Sequence, residues 1–314
     1  MYREVQPGIR HVNIVFDNGG LGDAIASLPA VAYIAKHHKH IQCHLWIADY
    51  FKEFAINCLR DTNVIVRSFS EKDKYKAHFL CRAFTPHKYD NMATHLTDHA
   101  FHVLVNKSVG PEDMNYLQPD LSKTDITKFN LPEKYVVMTT GFTAPAREML
   151  SDTVNAVNSY ILSKGYKVVF LGKTETIAGM GTNIKGAFKK EIDYTVGLNL
   201  IDKTKLLETT KVISNAKTIV GLDNGLLHLG GCTDVDIIGG FPTVEPQYRM
   251  AYRNNNLGWK FLPVTPPDSL ACRFCQSNWT FTYDHSFTEC FHKDYKCLSL
   301  LTSELYIEQL EKIL

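Results

Sequence analysis

The sequence predicts an α/β protein built from two parallel-sheet units, on three observations. Short apolar runs alternate with amphipathic stretches from residue 12 onward. Two of the runs break into glycine-rich turns, "NGGLGDA" at 18–24 and "GLDNGLLHLGG" at 221–231. The strand–glycine–helix pattern then restarts near residue 135. A chain of 314 residues is long for one core and comfortable for two domains of ~150 residues. The division falls at 1–130 and 131–314, with the join inside 120–134.

In order, Val12–Phe16 reads as a short apolar strand and Ala24–Lys39 as a helix, with Ile25, Leu28, Ala32 and Ala35 at helical spacing and Pro29 in its first turns. "CHLWIA" (43–48) is a strand, Tyr50–Cys58 a helix and "NVIVRS" (63–68) a strand, while 70–130 is less regular. Then "YVVMTTG" (135–141) is a strand ending in glycine, and a helix over about 152–164 is closed by Lys164-Gly165. "KVVFLG" (167–172), "TIVGLDN" (218–224) and "VDIIGGF" (235–241) are strands, and 203–215 and 225–231 are helices. "TSELYIEQLEKIL" closes the chain as an amphipathic helix, with Leu305, Ile307, Leu310, Ile313 and Leu314 on its apolar stripe.

Charge narrows the partners. The formal net charge is +1, and residues 1–140 hold 16 Lys/Arg against 15 Asp/Glu, so neither half attracts nucleic acid or anionic lipid as a whole. Ten of the thirteen histidines precede residue 103, including "KHHKH" at 36–40, which reads as a solvated helix end. The first twenty residues lack a signal-peptide apolar run and no stretch approaches eighteen apolar residues, which predicts a cytoplasmic protein. On that expectation Asn278-Trp279-Thr280 is a chance glycosylation match, and the eight cysteines are not a disulfide framework.

A glycine-rich turn between a parallel strand and a helix lets a ligand approach the backbone, where the helix start favours negative charge. Gly19, Gly20 and Gly22 are wrongly spaced for a dinucleotide fingerprint, and no acidic residue on a following strand end completes one. Asp23 has two readings: an N-terminal helix cap, or a carboxylate at the sheet edge that takes a proton from a hydroxyl. In the second turn Asp223 and Asn224 can cap the helix while the amides of Asn224, Gly225 and Leu226 face an anion, with His228 one turn further in. A capped helix with a core histidine is the competing account. "GKT" at 172–174 is not a P-loop, because Lys167 stands where that motif needs glycine.

Cys272-x2-Cys275 is a good metal signature, whereas Cys290 and Cys297 are wider apart than a usual second pair. Three readings stay open: a structural metal, with His285 and His292 as substitute ligands; reduced packing thiols; and redox thiols beside Arg273.

Together these stretches resemble the bacterial heptosyltransferases of lipopolysaccharide synthesis, glycosyltransferase family 9. The family's strand followed by Gly-x-Leu-Gly-Asp and a later proline is similar to "GGLGDAIASLPAV". Its Asp-Ser/Thr-Gly-x-x-His-Leu-Ala is similar to "DNGLLHLGG", and a four-cysteine tail before a closing helix is shared with many members. The resemblance implies a GT-B fold: two Rossmann-like domains facing across a cleft, the first (1–130) holding the acceptor and the second (131–314) the nucleotide sugar. It implies inverting transfer without a catalytic metal, from an ADP-, UDP- or GDP-linked sugar to a hydroxyl of a lipopolysaccharide-like glycan. Carried over, Asp23 matches the base and Gly19, Gly20 and Gly22 line the acceptor. Asp223, Gly225 and His228 match donor positions, with Asn224 replacing Ser/Thr. The family's small-residue loop and Lys-x-Trp-Pro correspond to "GFTAPAREML", which places Gly141 and Thr143 in the loop and Arg147 at the lysine, without Trp-Pro. The tail cysteines are then candidates for structural zinc.

Other readings are transfer to a hydroxylated base of DNA, as in some bacterial viruses, with Lys72, Lys74 and Lys76 adding to a local basic stripe; a non-catalytic sugar-nucleotide-binding protein; and a GT-B-shaped epimerase.

Overall fold

The computed structural model describes residues 10–16, 20–74, 80–82, 94–106, 108–140, 145–174, 191–277, 290 and 292–314. The first unit is a four-stranded parallel sheet in the order β3-β2-β1-β4, formed by β1 (His11–Val15), β2 (Gln42–Ile47), β3 (Ile65–Ser68) and β4 (Leu80–Arg82). Inside it the Trp46 indole N–H donates to the Asn13 side-chain oxygen at 2.8 Å, joining the two central strands. Helices α1 (Leu21–His37) and α2 (Asp49–Cys58) make the crossovers.

The second unit is a six-stranded parallel sheet in the order β12-β9-β8-β5-β6-β7. Its strands are β5 (Tyr135–Thr139), β6 (Lys167–Leu171), β7 (Leu198–Asn199), β8 (Thr218–Leu222), β9 (Asp236–Gly240) and β12 (Phe261–Val264). Its central strands are buried on both faces, as parallel sheets covered by helices require. One face carries α5 (Ser151–Ser163) and the closing helix α9 (Ser303–Glu311), whose Tyr306 and Leu310 are fully buried. The other carries α6 (Leu206–Ser214) and α7 (Gly225–Gly231). On that side one continuous hydrophobic core runs from Val12 and Ile14 of the first sheet to Ile219 and Ile237 of the second.

Three differences from the sequence reading have physical causes. Helix α1 starts at Leu21 rather than Ala24, so Pro29 lies mid-helix and not in the first turns; Ile25 thereby loses its usual amide donor. The irregular stretch 70–130 contains α3 (Leu96–Val105), which buries Leu96, Ala100, Phe101 and Leu104 against α1, and the short α4 (Pro111–Met114). Strand β12 contains Pro263, tolerated because it is an edge strand. A small hairpin of β10 (Tyr252–Arg253) and β11 (Asn256–Leu257) precedes it.

Candidate active site

Both glycine turns lie at carboxyl ends of parallel strands, the usual ligand edge of such sheets. At the first, Gly20 is the extended cap of α1, and Asp23 Oδ2 accepts the Gly20 N–H at 2.7 Å. Asp23 is half-buried, and its carbonyl accepts the Ser27 hydroxyl at 2.8 Å. The capping reading of Asp23 is thus realised, and the acid also stabilises the positive end of the helix.

At the second turn the backbone does something else. Asn224 Oδ1 accepts from the amides of Leu226 (2.9 Å) and Leu227 (3.3 Å), and its amide group donates to Thr139 Oγ1 at 3.1 Å. The Leu226 amide expected to face an anion is therefore occupied by the cap. What gathers at this turn is side-chain charge.

Asp223 is buried at 5% exposure, its amide bonded to the Gly240 carbonyl. Its Oδ2 lies 3.7 Å from Arg147 Nη1 and 3.9 Å from Arg249 Nε, and its Oδ1 lies 3.9 Å from His228 Nε2. These are ion-pair rather than hydrogen-bond separations, and among the described residues Asp223 Oδ2 and Arg147 Nε are buried without a hydrogen-bond partner. Burial pushes the Asp223 carboxyl up, but Arg147, Arg249 and His228 outweigh it and hold the group below the usual carboxylate range. Burial keeps His228 neutral against the pull of Asp223 and Asp23, which both favour its charged form. Arg249 is 4% exposed and donates to the Tyr248 carbonyl at 2.9 Å; Arg147 Nη2 reaches Gln276 Oε1 at 3.4 Å.

The two turns meet. A Cβ on Gly22 would lie 2.5 Å from His228 Cδ2, and one on Gly225 would lie 2.7 Å from Leu21 Cβ, so only glycine allows the two helix starts to touch. Across this contact the Asp23 charge acts on His228 and Arg249, and it is also felt by Tyr116 and Tyr50. One carboxylate from each unit therefore addresses the same histidine and arginine. Gly22 serves this approach of the His228 ring; the expected closeness to an acceptor is a separate matter that the packing does not require.

Of the expected site residues, Asp23, Gly20, Gly22, Arg147, Asp223, Asn224, Gly225 and His228 stand in or beside this assembly. Gly19, Gly141 and Thr143 lie outside the described residues, as does His285. The sequence reading missed Arg249, Tyr116 and His95. Tyr116 Oη is 2.8 Å from His228 Nδ1, and His95 Nε2 bonds the Met250 carbonyl at 2.7 Å, beside Arg249. None belongs to a motif, and no local signal marks them. A separate groove of about 730 Å³ beside the second half of α1 is lined by Tyr33, Lys36, Asp61, Glu112 and Tyr116, and shares only Tyr116 with the assembly.

Burial raises Cys272, Cys275 and Cys297, the last to about 12, and the neighbouring thiols add to each shift. They share one neighbourhood with Cys290, yet among the described residues no three His, Cys, Asp or Glu side chains form a metal-ligand group. Raised thiols disfavour the redox reading.

Comparison with known proteins matches residues 45–260 to the family described as Glycosyltransferase family 9 (heptosyltransferase), a span that omits the first glycine turn. A stretch of 89 residues is 29% identical to lipooligosaccharide heptosyltransferase 2 of Haemophilus influenzae, covering 28% of this chain and 25% of that protein. The chain thus matches about a quarter of the length of that curated relative. Among solved structures, the iron-containing dodecameric glycosyltransferase TibC of enterotoxigenic E. coli H10407 superposes with a TM-score of 0.74 at 18% identity, over 97% of this chain and 76% of that one. Escherichia coli ADP-heptose lipopolysaccharide heptosyltransferase II gives 0.58 at 11% identity, over 95% and 99%. These likenesses establish the α/β GT-B fold, and the family match, over more than half of its length, places this chain in glycosyltransferase family 9.

Proposed function

We propose that the protein is an inverting glycosyltransferase that moves a sugar from a nucleotide-sugar donor to a hydroxyl of a lipopolysaccharide-like glycan. The observation that carries this reading is the meeting of Asp23 with the Asp223–His228–arginine cluster across the Gly22 and Gly225 contact. Residues 1–130 would hold the acceptor and 131–314 the donor. Asp23 takes the proton from the acceptor hydroxyl as its oxygen bonds to the anomeric carbon, and the bond from that carbon to the diphosphate breaks. Arg147 and Arg249, gathered on Asp223, would offer fixed positive charge to the departing diphosphate, a role that calls for no catalytic metal. Asp223 is committed to those arginines, which leaves Asp23 as the base of a single, inverting displacement. ADP-heptose is the leading donor, because TibC has been seen in complex with ADP-D-β-D-heptose and superposes at a TM-score of 0.74 with 17% identity.

Cys272, Cys275, Cys290 and Cys297 are assigned a structural role, zinc binding included, and no step of transfer involves them; among the described residues they do not form a ligand set. A cytoplasmic setting fits a nucleotide-sugar donor, and among the described residues no helix is long and apolar enough to cross a membrane.

The test is a thermal-shift panel of ADP, UDP and GDP and their sugars, followed by product analysis with glycan acceptors. A nucleotide at 100 times its Kd adds about 2.7 kcal/mol of stability. ADP is expected to give the largest shift, and ADP-heptose to be consumed with inversion. No shift with any of the three, together with no release of sugar, overturns the reading.

A further inference from the structure

We infer that Tyr116 is a positioning residue that fixes the His228 imidazole in its Nε2–H form and aims that N–H into the space between Asp23 and Asp223.

The argument begins with which ring nitrogen carries the proton. Nε2 faces carboxylate: Asp223 Oδ1 is 3.9 Å away, and Asp23 also draws on the ring. A bare Nε2 lone pair turned toward those anions would be repelled, whereas an N–H is attracted. Nδ1 faces the Tyr116 hydroxyl at 2.8 Å. Burial drives the Tyr116 phenol well above its ordinary range, so it stays protonated and can donate to a bare Nδ1. The carboxylates at the Nε2 end thus select the tautomer, and the Tyr116 hydroxyl, able to donate or accept, is left to donate to the bare Nδ1 and lock it.

The placement is held from several sides. The Tyr116 and His228 rings are nearly parallel with centroids 5.9 Å apart, and Gly22 closes against the opposite edge of the imidazole. The Tyr116 amide donates to the Tyr252 carbonyl at 2.9 Å, and Asn115 next to it exchanges two hydrogen bonds with Asn255. Tyr116 is therefore anchored on the second unit's hairpin before it reaches His228. At 3.9 Å the Nε2–H is too far from Asp223 for a hydrogen bond and remains free to pair with an incoming ligand oxygen. Without the tyrosine hydroxyl, the ring would keep its pocket but lose the hydrogen bond that holds its Nδ1 end in place.

The inference rests on the donor-binding reading above, and the experiment separates the two. Long-range 15N–1H spectra of the full chain labelled in histidine, with His228→Gln used for assignment, report the tautomer without any ligand. Wild type is expected to show an Nε2–H ring with a hydrogen-bonded Nδ1, and Tyr116→Phe to show Nδ1 released from that bond. Titration with ADP is expected to lose about tenfold in affinity in Tyr116→Phe, the scale of one lost buried hydrogen bond. Adding Tyr116→Phe to His228→Gln should cost nothing more. An Nδ1–H ring in wild type overturns the inference, and so does unchanged ADP affinity in a folded Tyr116→Phe variant. If Tyr116→Phe fails to fold, the wild-type spectrum still decides. Failure of wild type to bind ADP, UDP or GDP counts against the donor reading and leaves the tautomer to be judged by its spectrum.

Discussion

The two strand–glycine–helix turns look alike as sequence and behave differently as structure. At α1 the acid sits three residues into the helix, reaches back to the Gly20 amide and stays half-exposed. At α7 the acid precedes the helix, Asn224 does the capping, and Asp223 is buried among two arginines and a histidine. An acid on a short tether at a half-exposed helix start keeps contact with solvent. An acid held by buried cations is fixed as an anion. The position of one carboxylate relative to its cap separates a helix-capping acid from a buried counter-ion.

The most severe way to break this contrast is Asp223→Ala. It leaves two guanidiniums, one of them buried, without their shared anion, and is expected to cost on the order of 3–5 kcal/mol in chemical unfolding. A loss below about 1 kcal/mol would mean that Asp223 is solvated like Asp23.

The seam between the turns can be probed by pH. Burial holds His95 down to about 4, where its ring bonds Met250, with Arg249 and His228 adding charge repulsion. A lowered histidine pKa means that the unfolded chain takes up the proton first. The contribution is therefore complete above about pH 6.5 and is lost as the pH falls toward 4. Wild type is expected to lose on the order of 3 kcal/mol more than His95→Gln across that window. Equal losses would remove His95 from the seam.

Gly22→Ala tests the contact itself. Its new methyl would meet the His228 ring at 2.5 Å, and because Tyr116 holds that ring from the other side the cost is expected at about 1–3 kcal/mol in melting experiments. The smallest effect belongs to Asn224→Ala, which removes the α7 cap for about 1 kcal/mol. A neutral Asn224→Ala would show that the α7 amides are not held by the cap after all.

Much of this arrangement was legible in the chain. Alternating apolar runs gave the strands flanking both turns, and glycines with neighbouring acids marked the two helix starts. Helix α3 escaped because His95, Asp98, His99 and His102 interrupt an otherwise helical apolar spacing, and its burial comes from α1. Strand β12 was hidden by Pro263, which only its edge position permits. Of the three amides expected to face an anion, the one at Leu226 is taken by the Asn224 cap, because an asparagine before a helix signals a cap as readily as a ligand loop. Arg249 and Tyr116 could not be read at all. Tyr116 acquires its meaning from a residue 112 positions away, and Arg249 from a carboxylate on a different strand end.

The most direct test of the central claim is Asp23→Asn. The amide oxygen can still accept the Gly20 N–H, so the helix start, the melting temperature and the affinity for ADP should be preserved while the proton acceptor is lost. Turnover of nucleotide sugar onto a glycan hydroxyl is predicted to fall by ~100-fold or more. Turnover equal to wild type in that variant would reduce Asp23 to a helix cap and contradict the account.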